Sequence, residues 1–207
     1  VPTIETGASV VHTYVDEHVD LNKAAEVIFN EKIRRVSVCN ALDTLLVNKN
    51  IAQKFLHLLA EKLKNHSPVV ELRADQVSVK FLKSHYPANK LKAVREKDYA
   101  TEFLDYVMNI KVVKNIDEAI AHIRKYSLKH SEAILTDNKR HAEKFQREVD
   151  AACVYVNTST CFSDGAEFGL GAEVGISTQK MHARGPMGLR ELTSYKWLID
   201  SNYQIRL

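Results

Sequence analysis

Residues 110–123 read Ile110-Lys111-Val112-Val113-Lys114-Asn115-Ile116-Asp117-Glu118-Ala119-Ile120-Ala121-His122-Ile123. The apolar opening predicts a strand over 110–113. Asn115, with Glu118 three positions on, has the form of a helix start, and Ile116, Ala119, Ile120 and Ile123 recur at helical spacing. Ala133-Ile134-Leu135-Thr136 then reads as a second strand. Upstream, Val10-Val11-His12-Thr13-Tyr14-Val15 predicts a strand, and Asp20 caps a helix carrying Leu21, Ala24, Ala25, Val27 and Ile28. Thr44 to Val47 is a short apolar strand. Asn50 with Gln53 predicts a capping box for a helix that buries Ile51, Phe55, Leu58, Leu59 and Leu63. Downstream come a helix over about 138–149 and a strand over 153–156. Strand–helix alternation of this kind argues for an α/β fold, a mainly parallel sheet flanked by helices on both faces.

The chain has 207 residues, 45% of them hydrophobic and 27% charged, with a net charge of +3. That is ordinary for a globular protein. Acids and bases are interleaved and no basic run combines with aromatics, so nucleic acid is not an expected partner. No apolar stretch is long enough to span a bilayer and no signal layout opens the chain. Cys39, Cys153 and Cys161 are too few and too unevenly spaced for a disulfide framework, and no CxxC or HExxH pattern offers a metal site. A reducing, cytoplasmic setting is the expectation. The chain begins Val1-Pro2-Thr3-Ile4, without Met, and reads as a fragment or an excised domain.

Chemistry concentrates in two places. Cys39 follows the basic residues Lys32, Arg34 and Arg35, and precedes Asn40, whose backbone and amide can donate hydrogen bonds. A thiol is the best side-chain nucleophile near neutral pH, yet a free Cys beside Leu and Val is also a common inert core residue. The segment 172–190 breaks the alternation with a polar, glycine-rich loop. Its hydroxyls, His182 and Arg184 suit an anion, which Arg grips through two parallel hydrogen bonds. The chain has no GxGxxG, hence no dinucleotide fingerprint of its own.

Three strings carry a resemblance: VCNALDTLLV, FSDGAEFGLGAEVGISTQKMHARGPMGL and VVKNIDEAIAHIRKYSLKHSEAI. Together they resemble the γ-glutamyl phosphate reductases (glutamate-5-semialdehyde dehydrogenases) of the aldehyde dehydrogenase superfamily. The similarity runs over essentially the whole chain and corresponds to the C-terminal, thiol-bearing half. It implies a catalytic domain over 1–192, an oligomerisation tail over 193–207, and an N-terminal dinucleotide-binding domain that this chain lacks. The implied reaction is NADPH-dependent reduction of L-glutamate 5-phosphate to the semialdehyde plus phosphate, in L-proline biosynthesis. The partners implied are that small substrate, further copies of the chain as a homo-oligomer, and glutamate kinase.

By the same resemblance Cys39 matches the nucleophile, and its backbone N–H the oxyanion donor. Asn40 lies beside it in the catalytic string. Glu5 matches a Glu that relatives use to activate water. Phosphate, not water, is the partner here, so a proton relay and a structural role stay open for it. Glu102 matches the Glu that hydrogen-bonds the nicotinamide ribose, although Asp105-Tyr106-Val107 replaces the usual Gly-Pro-Val. Phe168 and Gly169 match the Phe-Gly-Gly that lines the substrate pocket. Ser177, Thr178, His182 and Arg184 are candidates for the phosphate or the α-carboxylate. His122 and His130 are family features, read from their own helix as surface or helix-end residues. Val36, Leu128 and Cys161 depart from the usual Pro, Ser/Thr and Arg, and Cys161 is either a second reactive thiol or a passive substitution. The alternative is an isolated, catalytically incompetent domain acting as a binding module. A coenzyme A-linked dehydrogenase is disfavoured by HARGPMG.

Overall fold

The computed structural model describes residues 6–207. Among these, β1 (His12–Val15), β2 (Thr44–Asn48), β3 (Glu71–Ala74), β4 (Leu91–Ala93), β5 (Val107–Val113), β6 (Ser131–Leu135) and β7 (Cys153–Val156) form one sheet. Its order is β4-β3-β5-β2-β1-β6-β7 and every pairing is parallel. The helices are α1 (Leu21–Ile33), α2 (Ala52–Lys64), α3 (Gln76–Leu82), α4 (Ile116–Tyr126) and α5 (Lys139–Glu148).

Alternating side chains on the strands feed two cores. Val11, Val15, Leu45 and Val47 face α1, α2 and α3, packing on Ile28, Phe55, Leu59 and Leu63. Tyr14, Leu46, Val113 and Ile134 face α4 and α5, packing on Ile120, Ile123 and Phe145. Burial on both faces is why these strands read as near-continuous apolar runs. Asp20 accepts the Asn22 and Lys23 N–H groups and Asn115 the Glu118 N–H, so two of the expected caps are present, and Asn138 adds another by accepting the Arg140 and His141 N–H groups.

Several expectations are corrected. Asn50 does not cap α2: Ile51 holds the cap position without a side-chain hydrogen bond, and the Asn50 amide reaches Glu17 instead. The segment 172–190 is not wholly loop, because β8 (Gly175–Ser177) and β9 (Gly185–Met187) pair antiparallel within it. His122 and His130 are buried rather than surface residues. His122 lies among His12, Tyr99 and Tyr126, and burial drives its pKa down to about 2. His130 donates to or accepts from Ser131 Oγ at 2.9 Å, and burial lowers it to about 4. The tail 193–207 carries no strand and leaves its large apolar residues in solvent, with Trp197 79% and Ile199 84% exposed.

Candidate active site

The chain leaves α1 at Arg34 and crosses to β2 at the sheet edge where the strands begin. There Asp43 N–H and Thr44 N–H donate to Val11 O at 3.1 and 2.9 Å, and Asn109 N–H donates to Asp43 O at 2.8 Å. The loop between α1 and β2 is therefore clamped between the starts of β1 and β5. Ala41 N–H donates to Val38 O at 3.1 Å, closing a turn whose two central residues are Cys39 and Asn40. A free, half-buried thiol thus sits at the apex of a tight turn on the amino edge of the sheet.

Two side chains absent from the sequence-level site complete the surroundings. Ser9 is almost fully buried, and its one hydroxyl proton is shared between Cys39 O and, at 3.0 Å, Glu102 Oε1. Asp43 accepts the Val11 N–H on Oδ2 at 3.1 Å and the Phe103 N–H on Oδ1 at 3.0 Å. Burial pushes the Asp43 carboxyl up to about 6 against those two donors and Lys32. From α1, Lys32 Nζ donates to Leu42 O and Val107 O, both at 2.8 Å, and burial lowers it to about 8. Glu31 accepts the Thr160 N–H and the Thr13 hydroxyl, each at 2.9 Å, and burial raises it to about 7.

Burial also raises the Cys39 thiol. Its own backbone amide works the other way, and the carboxylates of Glu173 and Glu102 raise it further. The basic stretch expected to favour the thiolate does not do so: Lys32 is turned inward onto backbone carbonyls. The resting sulfur is the neutral thiol.

The other expected site residues divide. Glu102 is linked through the Ser9 hydroxyl to the backbone carbonyl of Cys39, and its carboxylate is one of the charges that raise the thiol. The Asn40 side-chain amide is spent on Ser163 O at 2.9 Å and Cys161 O at 3.4 Å, while Asn40 O accepts the Thr160 hydroxyl. Its NH₂ is thus engaged, while Asn40 Oδ1 is buried without a hydrogen-bond partner among the described residues. Phe168 is half-exposed, in a turn where its N–H donates to Asp164 O, and Gly169 follows with φ of 74°, a left-handed conformation that favours glycine. That turn sits in the loop carrying Glu173, whose carboxylate accepts the Gly165 N–H at 2.7 Å. Ser177 is fully buried on β8 and its Oγ accepts the Gln179 N–H, so it shapes a turn rather than facing a ligand. Thr178, His182 and Arg184 lie on the hairpin tip. Arg184 donates to Asp150 at 2.9 Å, beside Lys129 and Lys180, at the start of β7 and two strands from β1. Glu5 lies outside the described residues. Cys161 is buried with its sulfur toward Glu31 O at 3.9 Å, and burial raises its thiol too. It floors a crevice of about 170 Å³ lined by Asn30, Arg34, Phe162 and Glu167.

Residues 93–198 match the model of the aldehyde dehydrogenase family. Over 206 residues the chain is 54% identical to a γ-glutamyl phosphate reductase of Bacteroides fragilis, covering 100% of this chain and 49% of that protein. A reductase of the same name from Dictyoglomus thermophilum is 55% identical, with 100% and 48% covered. The crystal structure of the γ-glutamyl phosphate reductase from Thermotoga maritima superposes with a TM-score of 0.89 at 50% identity, covering 100% of this chain and 48% of that one. The chain spans about half the length of the curated relatives it matches. A parallel sheet flanked by helices, a thiol on its amino edge and a family match over half the residues lead to one assignment: the chain belongs to the aldehyde dehydrogenase family.

Proposed function

We propose that the chain is the thiol-bearing half of a γ-glutamyl phosphate reductase, the activity named for its relatives. The observation that carries the reading is the turn that presents Cys39 beside a carboxylate braced to it through Ser9. In this mechanism the Cys39 sulfur, once deprotonated, attacks the acyl carbon of L-glutamate 5-phosphate. A C–S bond forms, the C–O bond to phosphate breaks, and a thioester results. The Cys39 backbone N–H meets the negative charge that develops on the acyl oxygen. After reduction the hemithioacetal loses its hydroxyl proton, releases the semialdehyde and returns the thiol.

NADPH, when bound, supplies the hydride. The fit on this side is to Glu102: its carboxylate lies by the thiol and takes one hydrogen bond from Ser9, leaving acceptor capacity for a sugar hydroxyl. Arg184, His182 and Thr178 are proposed to meet an anionic end of the substrate when the hairpin tip closes. The exposed tail 193–207 is proposed to pair with a second subunit, since an apolar terminal segment buries itself by adding to a sheet edge. Among the described residues no helix is long and apolar enough to cross a membrane.

A second reading is an incompetent module, favoured by the raised Cys39 thiol, which among the described residues only its own amide offsets. The test measures phosphate-dependent reduction of NADP⁺ by glutamate semialdehyde. It compares this chain, the chain joined to a dinucleotide-binding half, and Cys39→Ala in the longer form. Activity in the long form that Cys39→Ala abolishes supports the reductase. Activity that survives the substitution, or none in any form, refutes it.

A further inference from the structure

Cys39, Ser9 and Glu102 come from three segments that share no local structure: a turn before β2, the lead into β1 and the lead into β5. Something must fix their spacing. The Ser9 hydroxyl touches both of the others, but a serine on a strand lead-in can hold them only if its own backbone is fixed. Asp43, four residues after the thiol, touches all three segments. Its Oδ2 takes the Val11 N–H two residues from Ser9, and its Oδ1 takes the Phe103 N–H next to Glu102. Its own N–H donates to Val11 O, and its O accepts the Asn109 N–H. The carboxylate is 2% exposed, so neither oxygen has water as an alternative.

We propose that Asp43 is the positioning residue of the thiol site: its two oxygens tie Ser9 and Glu102 to the turn that carries Cys39. The inference rests on the reading of Cys39 as the nucleophile. A buried carboxylate with one backbone N–H on each oxygen is a two-point clamp, and an amide cannot replace it. Asparagine keeps one acceptor and turns two donors toward the other N–H, leaving that group unsatisfied in a dry site. The freed segment then moves. A displacement on the order of 1 Å at a reacting centre costs up to about 100-fold in rate. Glu71 and Asp98 also lie on this side of the chain, but both pair with the Arg73 guanidinium and neither touches the segments that carry Cys39 and Ser9 in the contacts described.

The experiment follows acylation of Cys39 in the full 207-residue chain by p-nitrophenyl acetate, a cofactor-independent step that releases p-nitrophenolate as the thioester forms. The pH dependence of iodoacetamide alkylation gives each variant's thiolate fraction, and rates are compared per thiolate. Thermal melts define a temperature at which every variant is folded. We expect Asp43→Asn to slow acylation per thiolate by about 10- to 100-fold. Ser9→Ala, which changes no charge, should slow it less but in the same direction. Wild-type rates per thiolate in folded Asp43→Asn overturn the proposal, because a residue that only stabilises the fold moves the melt and not this ratio. If Asp43→Asn does not fold, Ser9→Ala decides: slowed acylation supports the brace and unchanged acylation overturns it. A wild-type chain that gives no burst, or a burst that survives Cys39→Ala, removes the nucleophile reading itself and the inference with it.

Discussion

Glu31 offers the sharpest quantitative test of the buried polar framework behind the site. It is fully buried on α1 and accepts from Thr160 and from the Thr13 hydroxyl, with no cation among the groups acting on it from the described residues. Burial raises it from an ordinary value near 4.5 to about 7. An acid with a raised pKa in the folded state makes the folded chain bind more protons than the unfolded one. Stability from this group therefore falls as pH rises from about 4.5 through 7, then levels off. The loss amounts to roughly 3 kcal/mol. Glutamine mimics the protonated acid: its oxygen can accept the Thr160 N–H, and its NH₂ can donate to the Thr13 hydroxyl. Glu31→Gln should match wild type at pH 5 and exceed it at pH 8 by roughly 3 kcal/mol, about 6–12 °C in Tm for a chain of this size. Urea unfolding at the two pH values measures the difference and cancels the other buried groups. A wild-type–variant gap that is equal at pH 5 and pH 8, or that favours wild type more at pH 8, would refute the reasoning.

Two further outcomes follow from the same contacts. Glu173→Gln removes one of the carboxylates that raise the thiol, so the pH midpoint for Cys39 alkylation should move down; an unchanged or higher midpoint would separate Glu173 from the site. Phe145 is fully buried in the core beneath α5, so Phe145→Ala should destabilise the chain by about 3–5 kcal/mol in urea unfolding; a loss under about 1 kcal/mol would mean that this core collapses around the gap.

The inner strands β1, β2, β5 and β6 were legible because burial on both faces of the sheet favours apolar runs, and the edge strand β7 was legible from Cys153-Val154-Tyr155-Val156. The strands β3 and β4 were not. β3 reads Glu71-Leu72-Arg73-Ala74 with only alternate residues buried, and the edge strand β4 is three residues containing Lys92. Polar, short edge strands resist unwanted pairing, and the same property hides them from a periodicity reading. The hairpin β8–β9 was hidden for another reason: Gly175-Ile176-Ser177 and Gly185-Pro186-Met187 are too short and too rich in turn residues to show a period. At the site, Cys39 could be read from its place at a polar-to-apolar junction. Ser9, Asp43 and Glu31 could not, because each acts on a partner far along the chain. Ser9 meets Glu102 across 93 residues, and Thr160 meets Glu31 across 129. A hydroxyl or carboxylate on a strand lead-in gives no local sign of which backbone amide it will hold.

The thiol's place on the amino edge of the sheet has an electrical consequence. In a parallel α/β fold the helices run back against the strands, so they end where the strands begin, and α1 stops at Ile33, six residues before Cys39. A helix presents partial negative charge at that end. The usual crevice of such folds, at the opposite edge, is bathed in the positive ends of helices and welcomes anions. Cys39 faces the reverse field, with the carboxylates of Glu173 and Glu102 adding to it. The sulfur is thereby kept protonated and slow toward stray electrophiles and oxidants.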